Sequence, residues 1–305
     1  MHISIVSPVY KAENIIDELL KRLSEELVKI TNDYEIVLVV DGSPDNSWAK
    51  IEEHAKKDAH VKGILLSRNF GQHHAISAGL DNCLGDWVIV MDCDLQDRPE
   101  EIIKLYNEGM KGYDIVYASR QQRKDRFMKR MGSKVFYAIF SYLSGVKQDN
   151  SMITFGIYSK KAISAINEIH DPVDFSLIAR WSGFKNKTIN VEHNERFEGK
   201  SSYNMNKLID LALTIAINYS DKPLKLAIKL GLFITGLSVV YTIYTITIYL
   251  LGKITISGYT SLIISIWFLF GLTIFILGIV GLYIGKIFDR VKERPIYILD
   301  QKINF

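Results

Sequence analysis

The order of apolar and polar segments predicts an α/β domain built on a mainly parallel sheet, followed by an interface helix and two membrane-spanning helices. Three observations carry that reading. Short apolar runs alternate with longer stretches of helical period from the start of the chain to about Tyr117. Most charged residues lie before Lys229, whereas aliphatic and aromatic residues crowd after it. Two uncharged runs then follow, Gly231 to Leu251 and Gly258 to Gly285, each at least the roughly 20 residues that cross a hydrocarbon core.

The apolar runs are Ile3 to Ser7, Glu35 to Val40, Gly63 to Leu66, Trp87 to Met91 and Ile115 to Tyr117. Strands that alternate with helices in this way read as βαβ units, and a sheet of that kind binds ligands beyond the carboxyl ends of its strands. The residues after each run are therefore the ones to inspect. Pro8, Val9, Tyr10 and Glu13 follow the first run, Asp41-Gly42-Ser43-Pro44-Asp45 the second, and Asp92-Cys93-Asp94-Leu95-Gln96-Asp97 the fourth. Neither a glycine-rich dinucleotide fingerprint nor a phosphate loop with Gly-Lys-Ser/Thr is present, which argues against hydride transfer and ATP hydrolysis by those routes.

Asp92 and Asp94 are the sharpest chemical signal. A pair of carboxylates at a strand end offers hard oxygen ligands to a divalent cation whose other positions go to phosphate oxygens and water, as Mg²⁺ and Mn²⁺ favour. Two cysteines, Cys83 and Cys93, make no disulfide framework and suit a reducing compartment. A net charge of +3 is too weak to argue for nucleic acid. His73 and His74 read as ordinary helix positions, and nothing marks Cys93 as a nucleophile.

Lys222, Lys225 and Lys229 precede the first uncharged run, Lys286, Arg290, Lys292 and Arg294 follow the second, and Lys253 alone lies between them. The positive-inside rule then predicts a helical hairpin with both outer flanks cytoplasmic. No signal-peptide pattern precedes Ile3, so the soluble part is expected to stay in the cytoplasm. Between Asn206 and Tyr219, apolar residues recur among polar ones as in a helix lying in the membrane interface. Gly231, Gly236, Gly271, Gly278, Gly281 and Gly285 suit close packing of the spans against each other or against a second subunit.

Taken in order, Pro8-Val9-Tyr10, Asp41-Gly42-Ser43, Arg68-Asn69-Phe70-Gly71, Gly85-Asp86, Asp92-Cys93-Asp94-Leu95-Gln96-Asp97 and Trp181-Ser182-Gly183-Phe184, with two C-terminal spans, resemble glycosyltransferase family 2. Within it the chain resembles the polyprenyl-phosphate glycosyltransferases, bactoprenol glucosyltransferases and dolichol-phosphate mannose synthases among them. The resemblance implies a GT-A fold and inverting transfer of a sugar from a nucleotide sugar, a UDP-hexose by family frequency, to a polyprenyl phosphate on the cytoplasmic face of the cell membrane. It implies a catalytic domain over 1–205, interface helices over 206–229, a transmembrane hairpin over 230–286 and a cytoplasmic tail over 287–305.

Carried over by motif, Pro8, Tyr10, Glu13 and Asp41 would hold the nucleoside, with Asp41 on the base. Asp94 with Asp92 would bind Mg²⁺ or Mn²⁺ on the donor diphosphate, and Gln96 would sit nearer the sugar. The family's acidic pair before Gly-Ser is here Val40-Asp41, and Lys11-Ala12 replaces the commoner Asn-Glu. Where many members carry a catalytic Asp before Phe-Arg, this chain has Met152, with Thr154 in place of Arg, and Asp149 is the nearby carboxylate. Arg120, Arg123, Arg126 and Arg130 form a basic cluster suited to a lipid phosphate and bilayer surface, and Arg196, Lys200 and Ser202 are a second candidate clamp for the diphosphate.

A processive polysaccharide synthase would share the nucleotide-sugar site, but its Gln-x-x-Arg-Trp motif is met here by Leu177-Ile178-Ala179-Arg180-Trp181, with Leu in place of Gln. A non-catalytic nucleotide-sugar sensor is the other alternative, favoured by Met152.

Overall fold

The computed structural model describes residues 2–120, 152–169, 175–192, 222–251, 258–292 and 294–305. Its backbone separates into two compact units, the first joining the N-terminal part of the chain to Pro295–Phe305 and the second containing the two long C-terminal helices.

The first unit is an eight-stranded sheet in the order β7-β5-β6-β4-β1-β2-β3-β8. The strands are β1 (Ile3–Val9), β2 (Tyr34–Val40), β3 (Val61–Leu66), β4 (Trp87–Val90), β5 (Ile115–Arg120), β6 (Met152–Ser159), β7 (Asn186–Val191) and β8 (Leu299–Ile303). β1 runs parallel to both β2 and β4, β2 is parallel to β3, and β5 is parallel to β7. β6 lies antiparallel to β4 and β5, and β8 antiparallel to β3. Every residue of β1 and β2 is buried, because helices cover both faces of a central parallel strand and an unbroken apolar run is what such a strand needs.

Helices α1 (Ile16–Leu27), α2 (Ser47–Lys57) and α4 (Ile102–Gly109) cover one face; α3 (Gln72–Asn82), α5 (Lys160–Ile169) and α6 (Phe175–Trp181) cover the other. In α1 the buried apolar residues Ile16, Leu19, Leu20, Leu23 and Leu27 recur at helical spacing and pack onto Ile3, Ile5 and Ile36 of the sheet. Each fully buried aliphatic side chain of this kind contributes about 1.5–3 kcal/mol. α3 lies very close to the sheet. A Cβ on Gly79 would stand 2.4 Å from Val6 Cγ1 and 3.1 Å from Val39 Cγ2, so only glycine permits that approach.

β1 feeds β2 on one side and lies against β4 on the other, so the strand order reverses there, and it is beyond the carboxyl ends of strands at such a reversal that open α/β sheets bind their ligands. That is the GT-A-like arrangement of a mainly parallel α/β sheet, and it sets the loops after β1, β2 and β4 side by side.

The tail expected over 287–305 contains β8. Its Leu299-Asp300-Gln301-Lys302-Ile303 has apolar residues only at its ends, too little pattern to announce a strand, yet it completes the edge beside β3. Asn304, with φ at 64°, donates from Nδ2 to the carbonyls of Ala55 at 2.6 Å and Val61 at 2.9 Å. Tyr297 donates to Asp81 at 2.8 Å, and the Ser67 N–H to the Ile298 carbonyl at 3.0 Å.

The second unit holds α7 (Lys222–Leu250) and α8 (Tyr259–Val291), which bear most of the exposed large apolar side chains among the described residues. Within α8, Leu269–Phe288 has a mean hydropathy of 2.0 and is long and apolar enough to cross a membrane; among the described residues it is the one stretch that meets both conditions. Its 20 residues span about 30 Å, the thickness of a hydrocarbon core. A Cβ on Gly231 would lie 3.7 Å from Ile276 of α8, whereas Gly236, Gly271, Gly278, Gly281 and Gly285 have nothing within 4 Å of that position. The interface helix expected over 206–219 lies outside the described residues.

Candidate active site

The loops after β1 and β2 hold each other by reciprocal capping. Backbone N–H groups of Lys11, Ala12 and Glu13, just ahead of α1, donate to Ser43 Oγ at 2.8 Å, Ser47 Oγ at 3.2 Å and Asp45 Oδ2 at 3.1 Å. In return Glu13 Oε2 accepts the N–H of Asn46 at 2.9 Å, at the start of α2. Asp45 is the centre of this network and also accepts the hydroxyls of Ser43 and Ser47. Burial raises its pKa, but the hydroxyl and backbone donors outweigh that and hold it below the usual carboxylate value. Glu13, expected to hold the nucleoside, is thus engaged by the neighbouring loop. Asp45 and Ser47, which no sequence argument assigned, carry the loop's shape. Their signal was the Ser-x-Asp-x-Ser spacing of Ser43, Asp45 and Ser47, a pattern that favours side-chain-to-backbone turns.

Lys11 takes a φ of 53°, one of three non-glycine residues with positive φ among those described. Its Nζ lies 5.5 Å from the centre of the Tyr10 ring, and Tyr10, the first residue beyond β1, is left 47% exposed. Pro8, the penultimate residue of β1, pairs in register with Val39.

Asp41 is buried, and its carboxylate bridges to the next loop. Oδ1 accepts the N–H of Phe70 at 2.7 Å and Oδ2 that of Gly71 at 2.8 Å, while its carbonyl accepts Asn69 Nδ2 at 3.2 Å. Gly42, with φ at +54°, makes this possible: a Cβ there would stand 2.3 Å from the Arg68 carbonyl carbon. Arg68 stacks over Phe70 at 4.4 Å and remains exposed. The first residue of α3, Gln72, reaches across and donates from Nε2 to Asp92 Oδ1 at 2.7 Å.

The Asp92–Asp97 loop is set by a buried leucine. Leu95 has φ at 56°, costly for a branched side chain, but it is held because the leucine is 4% exposed within the core. Asp94 and Gln96 flank it, and Asp94 Oδ1 accepts the Gln96 N–H at 3.1 Å. Burial, with the charge of Asp92 adding, pushes the Cys93 thiol up to about 12 despite a hydrogen bond from the Tyr10 backbone. The thiol stays protonated at neutral pH. Burial lowers the His74 pKa against a hydrogen bond with the Phe70 backbone, so its ring is neutral near pH 7.

Among the described residues no group of three His, Cys, Asp or Glu side chains is placed to hold a metal ion. What the start of the loop offers is the two carboxylates of Asp92 and Asp94, with the protonated thiol of Cys93 between them in sequence, while the third carboxylate, Asp97, is buried. Such a donor set does not suit a closed zinc site. It fits Mg²⁺ or Mn²⁺, which take one or two carboxylates and complete their shell with substrate phosphates and water.

Of the residues expected to meet the acceptor or diphosphate, Arg120 ends β5 in register with Val191. Asp149, Arg123, Arg126, Arg130, Arg196, Lys200 and Ser202 lie outside the described residues. Arg180 of α6 stacks over the buried Tyr117 ring at 5.9 Å, while Trp181 is 69% exposed.

The family Glycosyl transferase family 2 matches residues 4–169, more than half of the chain. The uncharacterized glycosyltransferase YkcC of Bacillus subtilis (strain 168) is 35% identical over 300 residues, covering 98% of this chain and 93% of that protein. An undecaprenyl-phosphate 4-deoxy-4-formamido-L-arabinose transferase of Shewanella sediminis is 34% identical over 300 residues, covering 97% of this chain and 90% of that one. Among solved structures, glucosyl-3-phosphoglycerate synthase from Mycobacterium tuberculosis with Mn²⁺ and UDP-glucose is similar over 71% of this chain and 77% of that chain, at 16% identity and a TM-score of 0.48. With the Asp-x-Asp loop at the reversal of a mainly parallel sheet, and with relatives that match it almost end to end, this chain belongs to glycosyltransferase family 2.

Proposed function

We propose that this glycosyltransferase moves a sugar from a nucleotide diphosphate sugar, UDP-hexose as the first donor to test, onto a polyprenyl phosphate at the cytoplasmic face of the cell membrane. The observation that carries the acceptor is the end-to-end similarity to undecaprenyl-phosphate sugar transferases, which extends through the C-terminal helices as well as the catalytic sheet. The apolar stretch Leu269–Phe288 supports it, since a lipid acceptor calls for an enzyme held at the bilayer. α7 from residue 230 onward is read as the first arm of a transmembrane hairpin whose second arm is in α8, with residues 1–205 forming the catalytic domain and 206–229, which include the first turns of α7, lying at the interface. Residues 295–305 belong with the catalytic domain in this reading.

Beyond the strand ends, the Tyr10 ring and the Asp41 loop would receive the nucleoside, and Gln96 would face the sugar. Asp92 and Asp94 would hold Mg²⁺ or Mn²⁺ against the diphosphate, which when bound supplies charge neutralisation for the leaving group. The acceptor phosphate oxygen attacks the anomeric carbon as the bond to the nucleotide diphosphate breaks, inverting the configuration. A phosphate monoester has a second pKa near 6, so the nucleophile is already largely dianionic at neutral pH and needs little proton abstraction. Positioning then outweighs base strength, which accounts for Met152 at the position where many members of the family carry an acid. Loss of turnover in Asp149→Asn at every pH, with donor binding intact, would contradict this view of the base.

The experiment is incubation of membranes carrying the full chain with Mg²⁺ or Mn²⁺ and a panel of radiolabelled nucleotide sugars. Label in an organic-extractable, acid-labile lipid is the expected product. Label in polymer would point to a processive synthase, and no transfer from any donor to a sensor.

A further inference from the structure

We infer that Gln72 is a positioning residue for Asp92, holding one carboxylate oxygen so that divalent-cation binding at Asp92 and Asp94 depends on the neighbouring loop. This rests on the reading of those aspartates as the metal ligands. The contact is direct: Gln72 Nε2 donates to Asp92 Oδ1 at 2.7 Å across 20 residues of sequence.

The backbone behind that amide is fixed from both sides. Ahead of it, the Asp41 carboxylate binds the N–H groups of Phe70 and Gly71, and Gly71 turns the chain with φ at +105°. Behind it, Ala75, Ile76 and Ala78 of α3 are buried, and Gly79 brings the helix onto Val6. Only the glutamine side-chain torsions remain to be set, and the Asp92 carboxylate sets them. Two hydrogen bonds, joined by the Gly71–Gln72 peptide link, therefore lead from Asp41, beyond β2, to Asp92, beyond β4.

The neutrality of the donor matters. An amide fixes one oxygen without itself cancelling the carboxylate's charge. A lysine of similar reach would neutralise the same carboxylate and compete with the metal. Partners that orient metal-binding carboxylates typically govern metal affinity by about 10- to 100-fold.

The test uses the purified full chain in detergent, with Mn²⁺ as the probe and free Mn²⁺ measured by electron paramagnetic resonance in the presence of UDP. Gln72→Ala is expected to weaken Mn²⁺ binding by about 10-fold or more. Gln72→Lys should weaken it at least as much. UDP binding in chelator should stay within about twofold of the unaltered protein in Gln72→Ala, because the amide acts on the carboxylate and not on the nucleoside. Mn²⁺ affinity within about twofold in Gln72→Ala would overturn the assignment, as would loss of UDP binding in chelator. Asp94→Asn separates the two layers of the argument. If it also leaves Mn²⁺ binding unchanged, the metal reading itself fails and the role of Gln72 falls with it; if it abolishes binding while Gln72→Ala does not, only the positioning role is lost.

Discussion

Asp41 Oδ2 accepts the backbone N–H of Gly71 at 2.8 Å, and the same carboxylate takes the Phe70 N–H through its other oxygen. A residue expected to read a nucleobase is thus also the support of the loop that starts α3. Asp41→Ala would leave two backbone donors without their acceptor, at about 1.5–3 kcal/mol for each charge-assisted bond lost. The expected outcome is a lower unfolding temperature together with a raised KM for the nucleotide sugar, with Asp41→Asn intermediate. Thermal unfolding of the detergent-solubilised protein, followed by donor titration, checks both.

At the opposite end of the sheet, Glu35 is 1% exposed and paired with Lys62 at 2.7 Å. Burial raises its pKa, yet the Leu84 N–H, Lys62 and the Ser4 hydroxyl together bring it below its ordinary value of 4.5. A carboxyl that binds its proton less readily when folded contributes stability above its unfolded pKa and loses that contribution as pH falls through the folded one. Glu35→Gln is therefore expected to cost about 3–5 kcal/mol at neutral pH, since it leaves Lys62 without its partner, and to flatten the acid limb of the stability profile. Denaturation curves between pH 3 and pH 7, or about that range, would show it. An unchanged acid limb would count against the role given to Glu35.

Asn304 donates to the carbonyls of Ala55 and Val61 from a left-handed conformation that asparagine tolerates better than most residues. Asn304→Ala should destabilise the sheet by about 1–3 kcal/mol through unpaired carbonyls and backbone strain. Faster proteolysis at the C-terminus before global unfolding would accompany it. Equal protease resistance in the variant and the unaltered protein would mean that β8 is held without the Asn304 contacts.

Much of this architecture is legible from the residues. β1 to β4 fall within two residues of the apolar runs at each end, because strands covered on both faces have no polar side to interrupt them. β7 and β8 escape that logic. They are edge strands, and Asn186, Lys187 and Asn190 in one and Asp300, Gln301 and Lys302 in the other are what a solvent-facing edge tolerates. The Asp-x-Asp loop is visible as a motif. The partners that shape it are not, since Gln72 meets Asp92, and Asp45 meets Glu13, only after separate loops have been brought to one end of the sheet.

The most direct test of the central claim is transfer by the purified full chain in lipid vesicles containing a polyprenyl phosphate. It should be given radiolabelled nucleotide sugars with Mg²⁺ or Mn²⁺, and compared with the same reaction in chelator and with Asp94→Asn. The expected product is an acid-labile glycolipid from one donor, lost in chelator, restored by the cation and reduced at least about 100-fold in Asp94→Asn. Lipid glycosylation that proceeds equally well in chelator and in Asp94→Asn, or sugar that appears only in polymer, would contradict it.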